Sequence, residues 1–466
     1  MTSSSPPVTK TVGDLKTSGH VSRTVKAEIR DNLLSALREG RSTFPGIVGF
    51  DDTVLPELER ALLAGHDVVL LGERGQGKTR LMRTLADLLD EWQPVVEGCE
   101  IHDDPLDPIC VRCRTLAAEY GDALLIAWRH RDERYGEKLA TPDTSVGDLV
   151  GDIDPTKVAE GRPLGDPETV HYGLLPRANR GVFGINELPD LAERIQVALF
   201  NVLEERDIQV RGYALRLPLD LLLVVSANPE DYTNRGRIIT PLKDRFGAEI
   251  RTHYPLDIDH EVALIQQEAA TVAAVPVHVV EVLARFAAGL RESNAIDQRS
   301  GVSARFAIAA TEAVSASALR RSALAGEDEA VARVGDVPDV LPTLLGKVEF
   351  EMGEEGREDE VLDHILRLAT AETFRHRLAG VDLAPFTEHF VEGDTVETGP
   401  LVPGADLLQQ MGSVPGLAIV LDRLGVDEDT VSPGQAAAAV EFVLEGLHLT
   451  RRLAKDEVDG RTVYGG

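Results

Sequence analysis

Eight residues constrain this chain more than any other stretch: Gly72-Glu73-Arg74-Gly75-Gln76-Gly77-Lys78-Thr79. A short apolar run, Asp67-Val68-Val69-Leu70-Leu71, precedes them. Helical spacing follows over residues 78–90, with Leu81, Met82, Leu85, Leu88 and Leu89 on one face. Strand, glycine-rich turn and helix are the setting in which G-x-x-x-x-G-K-[ST] cradles phosphate. The glycines let successive backbone N–H groups turn inward, and the helix start adds a positive end. Lys78 can reach the β- and γ-phosphates of a nucleotide, and the Thr79 hydroxyl can ligate Mg²⁺. Gly72, Glu73, Arg74, Gly75, Gln76, Gly77, Lys78, Thr79 and Arg80 are therefore the candidate nucleotide-binding set.

A phosphate loop implies a parallel α/β sheet, and further apolar runs fit one. Residues 123–127, 182–185 and 221–225 read as buried strands, with a helical pattern over 191–205 between the last two. Past residue 255 the strand signals fade. Residues 258–325, 361–380 and 435–456 carry helical spacing, and 349–360 reads as an acidic surface segment or helix start. Residues 24–39 and 52–64 are also helical in spacing, whereas 1–20 reads as a flexible tail. The length of 466 residues suggests roughly three domains. The expected division is a tail and helix over 1–40, an α/β core over 41–255, a helical lid over 256–345 and a helical region over 346–466.

Hydrolysis needs a second strand ending in acidic residues. Gly181-Val182-Phe183-Gly184-Ile185-Asn186-Glu187 has that shape. Glu187 is the candidate general base for an attacking water. Asn186 occupies the position where Asp usually holds Mg²⁺ through water. Its amide oxygen can still accept from a metal-bound water, but without charge, so Mg²⁺ affinity is expected to fall. The next strand ends Ser226-Ala227-Asn228-Pro229, placing a polar Asn228 at its tip. Arg245, in Pro241-Leu242-Lys243-Asp244-Arg245-Phe246-Gly247, suits stabilisation of γ-phosphate charge in trans. Arg305 opens a helix at Gly301-Val302-Ser303-Ala304-Arg305-Phe306.

Taken in order, these motifs resemble the AAA+ ATPases of the magnesium-chelatase I-subunit and MoxR group over roughly residues 40–345. The stretch Gly173-Leu174-Leu175-Pro176-Arg177-Ala178-Asn179-Arg180-Gly181 is the most specific. The resemblance implies ATP hydrolysis, with Asn228 as sensor 1, Arg245 as the arginine finger and Arg305 as sensor 2. It implies that Ile47 and Val48 line the adenine site, and that residues 144–172 and 206–217 form β-hairpin inserts. It further implies a homo-oligomeric, hexameric ring that works with a von Willebrand factor A domain partner, remodelling or loading metal into a client. Three alternatives stay open: the motor of magnesium insertion into a porphyrin, a non-hydrolysing nucleotide-gated scaffold, and a transcription regulator. Against the last, the chain has no GAFTGA loop, and its C-terminal part shows no clear basic helix-turn-helix.

All three cysteines, Cys99, Cys110 and Cys113, fall within fifteen residues, with His102 among them. Random placement gives odds on the order of 0.003. The pattern C-x₂-H-x₇-C-x₂-C is what a tetrahedral structural Zn²⁺ asks for. Reduced core cysteines beside a chance histidine are the competing account.

Charge narrows the partners. Lys and Arg number 48 against 78 Asp and Glu, a net charge of -30. Such a polyanion is not expected to bind nucleic acid or anionic membrane without specificity. No run of 18 apolar residues and no secretory pattern is present, so the cytoplasm is the expected compartment.

Overall fold

The computed structural model describes residues 5–160, 169–205, 217–229, 237–297, 301–388, 390, 395–412, 416–426, 431–458 and 461–465. The chain divides into two compact units, Met1–His253 and Tyr254–Gly466.

The first unit carries β1 (Val68–Leu71), β2 (Trp92–Val96), β3 (Ile126–His130), β4 (Tyr135–Leu139), β5 (Gly151–Ile153), β6 (Val170–Tyr172), β7 (Gly181–Asn186), β8 (Leu221–Ala227) and β9 (Ala248–Arg251). Five of them form one sheet in the order β4-β7-β8-β1-β9, with every neighbouring pair parallel. Strands β1, β7 and β8 are buried along their whole length, which is why they read as unbroken apolar runs. Alternate residues feed two cores. Val68, Leu70, Val182, Leu222 and Val224 join Ile29, Leu33, Leu58 and Leu81 on one face. Val69, Leu71, Phe183, Ile185, Leu223 and Val225 join Ile195 and Leu199 on the other.

The helix Val25–Glu39 is capped by Thr24, whose hydroxyl accepts the Ala27 N–H, and closed by Gly40 in a left-handed turn. Its buried Glu28 receives both Arg134 guanidinium nitrogens at 2.7 Å, and Arg134 also donates to the Arg180 carbonyl. One buried ion pair thus links this helix to the starts of β4 and β7.

Several expectations are corrected. Residues 11–17 are not tail: Thr11 caps a short helix, Val12–Thr17, whose Val12 and Leu15 are buried. The apolar stretch at 123–127 is not a strand of the parallel sheet. Residues 121–123 form a turn, and the strand runs Ile126–His130, antiparallel to β2. The sheet's edge is instead β4, which is too polar to read as a strand. The segment 144–172 does contain a short antiparallel pair, β5 with β6. Residues 206–216 of the other expected insert lie outside the described residues.

The second unit is built on the helices Ile258–Glu268, Val277–Glu292, Ala304–Ala325, Glu358–Arg377 and Pro433–Leu449. A single apolar core runs through the stretches on both sides of residue 345. It also holds strands that the sequence did not show: β10 (Thr395–Thr398), β11 (Ala454–Val458) and β12 (Arg461–Gly465), antiparallel in the order β10-β12-β11. The helix expected over 435–456 therefore stops at Leu449.

Candidate functional site

The first unit gathers its polar residues at the carboxyl ends of the parallel strands, where open α/β sheets bind ligands. The phosphate loop leaves β1 at Leu71. Gly75 and Gly77 take left-handed backbone conformations, with φ of 76° and 75°. Gly72 has no space for a side chain: a Cβ there would lie 2.0 Å from the Thr252 hydroxyl. That hydroxyl donates to Gln76 Oε1 at 2.8 Å, and the same oxygen accepts the Glu73 N–H, so Gln76 braces the loop from within.

Lys78 begins the helix Lys78–Thr84. Its ammonium donates to the carbonyls of Gly72 and Glu73 and, at 3.0 Å, to Asn228 Oδ1. Two candidates 150 residues apart are thereby in contact. The Thr79 hydroxyl donates to Asn186 Oδ1 at 3.0 Å, and Ser226 Oγ donates to the same oxygen at 3.2 Å. Glu187 stands just beyond β7 in a left-handed conformation, φ 56°, with its N–H on Ser226 Oγ. A non-glycine residue held there is strained, and such strain concentrates at functional sites. A cavity of about 370 Å³ opens beside the loop, lined by Gly72, Glu73, Gln76, Pro229, Arg251 and Thr252.

One member of this cluster has no motif to announce it. Glu137 on β4 accepts the Asn186 Nδ2–H at 3.0 Å, both Arg83 donors at 2.8 and 2.9 Å, and the Tyr135 hydroxyl at 3.1 Å. The Arg83 guanidinium holds the Glu137 carboxyl below its usual range against the opposing effect of burial. The neutral Asn186 therefore has an ionised carboxylate at its side.

The remaining candidates make contacts of their own. Ile47 and Val48 are half-buried in the turn before the helix Val54–Leu63. Arg74 and Arg80 are exposed on the loop and its helix. Arg245 pairs with Glu204 and lies 4.8 Å over the Phe200 ring, on the helix Glu193–Glu205. Arg305 belongs to the second unit, exposed in the first turn of the helix Ala304–Ala325, with its N–H on Ser303 Oγ. Cys99, Cys110 and Cys113 are buried together, and the acidic group set among them is Asp103, not His102. His102 Nδ1 is engaged with the Arg177 carbonyl at 3.0 Å.

No protein-family model matches the chain. Among curated proteins, the magnesium-chelatase 38 kDa subunit of Rhodobacter capsulatus is 31% identical over 228 residues, covering 48% of this chain and 59% of its own length. The chloroplastic magnesium-chelatase subunit ChlI-1 of Arabidopsis thaliana is 29% identical over 235 residues, covering 48% of this chain and 51% of its own. Over about half its length, this chain is similar in sequence to these magnesium-chelatase subunits. Its first unit is a parallel α/β sheet with a glycine-rich loop between β1 and the helix Lys78–Thr84. The chain spans between half and three fifths of the length of those two relatives. Among solved structures, a complex of the magnesium-chelatase subunits BchI and BchD covers 69% of this chain and 98% of the matched chain at 23% identity and a TM-score of 0.37, too slight a likeness to bear on function. Among the described residues no helix is long and apolar enough to cross a membrane.

Proposed function

We propose that this chain binds and hydrolyses Mg-ATP as an AAA+ motor of magnesium-chelatase type. The observation that carries the reading is the pair of contacts at the phosphate loop: Lys78 to Asn228, and Thr79 to Asn186, each at 3.0 Å. They bring together the groups that phosphoryl transfer uses. The Lys78 ammonium offsets phosphate charge, and the Thr79 hydroxyl ligates the metal. Mg²⁺ held by Thr79 and, through water, by Asn186 would neutralise charge developing on the phosphates. Asn186 accepts from a metal-held water, while Glu137 supplies nearby the negative charge that Asn186 lacks. Glu187 takes the proton of the attacking water, and Asn228 orients that water or the γ-phosphate. Arg245 completes the site of a neighbouring copy in a hexameric ring, and Arg305 takes the role of sensor 2. Ile47 and Val48 line the adenine.

The relatives are named as subunits of magnesium chelatase, so we propose that this chain too works as a subunit, beside a partner with a von Willebrand factor A domain. Remodelling of a client protein or loading of metal into it is the proposed task. Stimulation of turnover by protoporphyrin and partner subunits would single out the porphyrin branch. Three unbridged thiols fit a reducing compartment such as the cytoplasm.

The test is steady-state ATP hydrolysis with and without Mg²⁺, beside Glu187→Gln. Mg²⁺-dependent turnover that falls at least ~100-fold in the variant is expected. A neutral Asn186 favours the second reading, a nucleotide-switched scaffold. Tight ATP binding with no turnover above the variant would establish that reading instead.

A further inference from the structure

We propose that Cys99, Asp103, Cys110 and Cys113 hold a structural Zn²⁺ ion, with Asp103 rather than His102 as the fourth ligand. Three observations converge on it.

The first is proximity in a dry place. The four residues are buried, and one ligand atom from each lies within 4.8 Å of all the others. A tetrahedron with Zn–S bonds of about 2.3 Å has edges of about 3.8 Å, so small side-chain movements close the set. The second is Asp103 itself. It is fully buried, at 0% exposure. Its Oδ2 accepts the Cys110 N–H at 2.9 Å, while Oδ1 is buried without a hydrogen-bond partner. A carboxylate oxygen left that way is costly unless a cation or a donor meets it. The third is the backbone around the sulfurs. Asp103 N–H points to Cys99 Sγ at 3.4 Å and Cys113 N–H to Cys110 Sγ at 3.3 Å. N–H groups donating to sulfur stabilise its thiolate form and fix its direction, as hydrogen bonds to metal ligands do.

The donor set selects the metal. Three thiolates and one carboxylate in a four-ligand cage suit Zn²⁺, and with no open position the ion is structural. Its place in the fold says what it stabilises. Asn179 Nδ2 donates to the Ile101 carbonyl at 3.1 Å, and Arg180 pairs with Asp104 at 3.4 Å. The cysteine loop thus grips the turn that runs directly into β7, the strand that ends at Asn186. A cavity of about 430 Å³ reaches Cys99 and Cys110 from outside, giving ions and thiol reagents a route in.

The experiment is metal analysis of the purified full chain, compared with His102→Ala and Asp103→Ala. One zinc per chain is expected in the wild type and in H102A. In D103A, half the metal should be lost at a chelator concentration at least tenfold lower. Modification of the three thiols should release the zinc one for one. Wild-type protein free of metal with three reactive thiols, or with a disulfide between two of them, overturns the proposal. So does H102A losing zinc while D103A holds it as firmly as the wild type. If either variant fails to fold, Asp103→Asn and His102→Gln replace it with the same expected outcomes, and thiolate charge-transfer bands in cobalt-substituted wild type support the cage while their absence overturns it. None of these readouts depends on ATP turnover, so the zinc site and the motor can fail separately.

Discussion

Asn186, proposed above to accept from a metal-held water, brings no charge of its own. Its oxygen takes the Thr79 and Ser226 hydroxyls, and its amide donates to Glu137. If Glu137 supplies the missing charge across that bond, Glu137→Gln should raise the Mg²⁺ concentration for half-maximal turnover. A unit charge near but not touching the ion makes that shift roughly tenfold, or about 1.4 kcal/mol. Asn186→Asp should lower the requirement in protein that also carries E137Q, and less so alone, where two carboxylates would then crowd each other. A Mg²⁺ titration of ATP turnover across the three variants checks this, and an unchanged requirement in E137Q would remove Glu137 from the site. Lys78, Thr79, Asn186 and Glu187 were legible because each belongs to a motif tied to a buried strand. Glu137 was not, because Tyr135-Gly136-Glu137-Lys138-Leu139 has no apolar run and lies 49 residues before its partner. His102 stands outside the cysteine cluster for a related reason. Spacing names candidate ligands, but the left-handed turn at His102, φ 56°, and its bond to the Arg177 carbonyl are decided by packing.

Among the elements, those facing core on both sides declared themselves and those at edges did not. β1, β7 and β8 are buried along their whole length, whereas β11 (Ala-Lys-Asp-Glu-Val) is mostly exposed and takes its form from pairing with β12. The helices Val277–Glu292 and Pro433–Leu449 were recognisable from their apolar content, but not the histidine they bury. His278 is fully enclosed, its ring 4.9 Å from that of Phe442. Burial pushes its imidazole down to about 4, with Arg377 adding to the effect and Glu281 opposing it. The folded state therefore keeps His278 neutral, while the unfolded chain takes up a proton near pH 6.5. Stability from this site is full above that pH and is lost as pH falls from about 6.5 towards 4, by roughly 3 kcal/mol. His278→Leu should remove that component. Denaturant unfolding at pH 7 and pH 4.5 should show the variant gaining on the wild type as the pH drops. A constant difference between the two proteins would mean that His278 is not held neutral.

At the scale of the whole molecule, the role proposed for Arg245 in a neighbouring copy is a question about more than one chain. Arg245, read from the sequence as the γ-phosphate arginine, spends its bonds on Glu204 and the face of Phe200. Both partners are partly exposed, and an ion pair of that kind contributes only about 0–1 kcal/mol. Arg245→Ala should therefore leave the fold and ATP binding intact while removing turnover. The decisive observation is a mixture. An R245A chain has a sound phosphate loop and no finger; an E187Q chain has a finger and no base. In a ring, every R245A site that faces the Arg245 of an E187Q neighbour is complete. Mixing two inactive proteins should then restore turnover, to a maximum near equal proportions. Because each chain carries a net charge of -30, like-charged neighbours repel, so the rescue should grow as ionic strength rises from about 0.01 to 0.15 M and the screening length falls from about 30 to 8 Å. If no mixture and no salt concentration recovers activity, the arginine acts within its own chain, and the ring is not needed to complete the site.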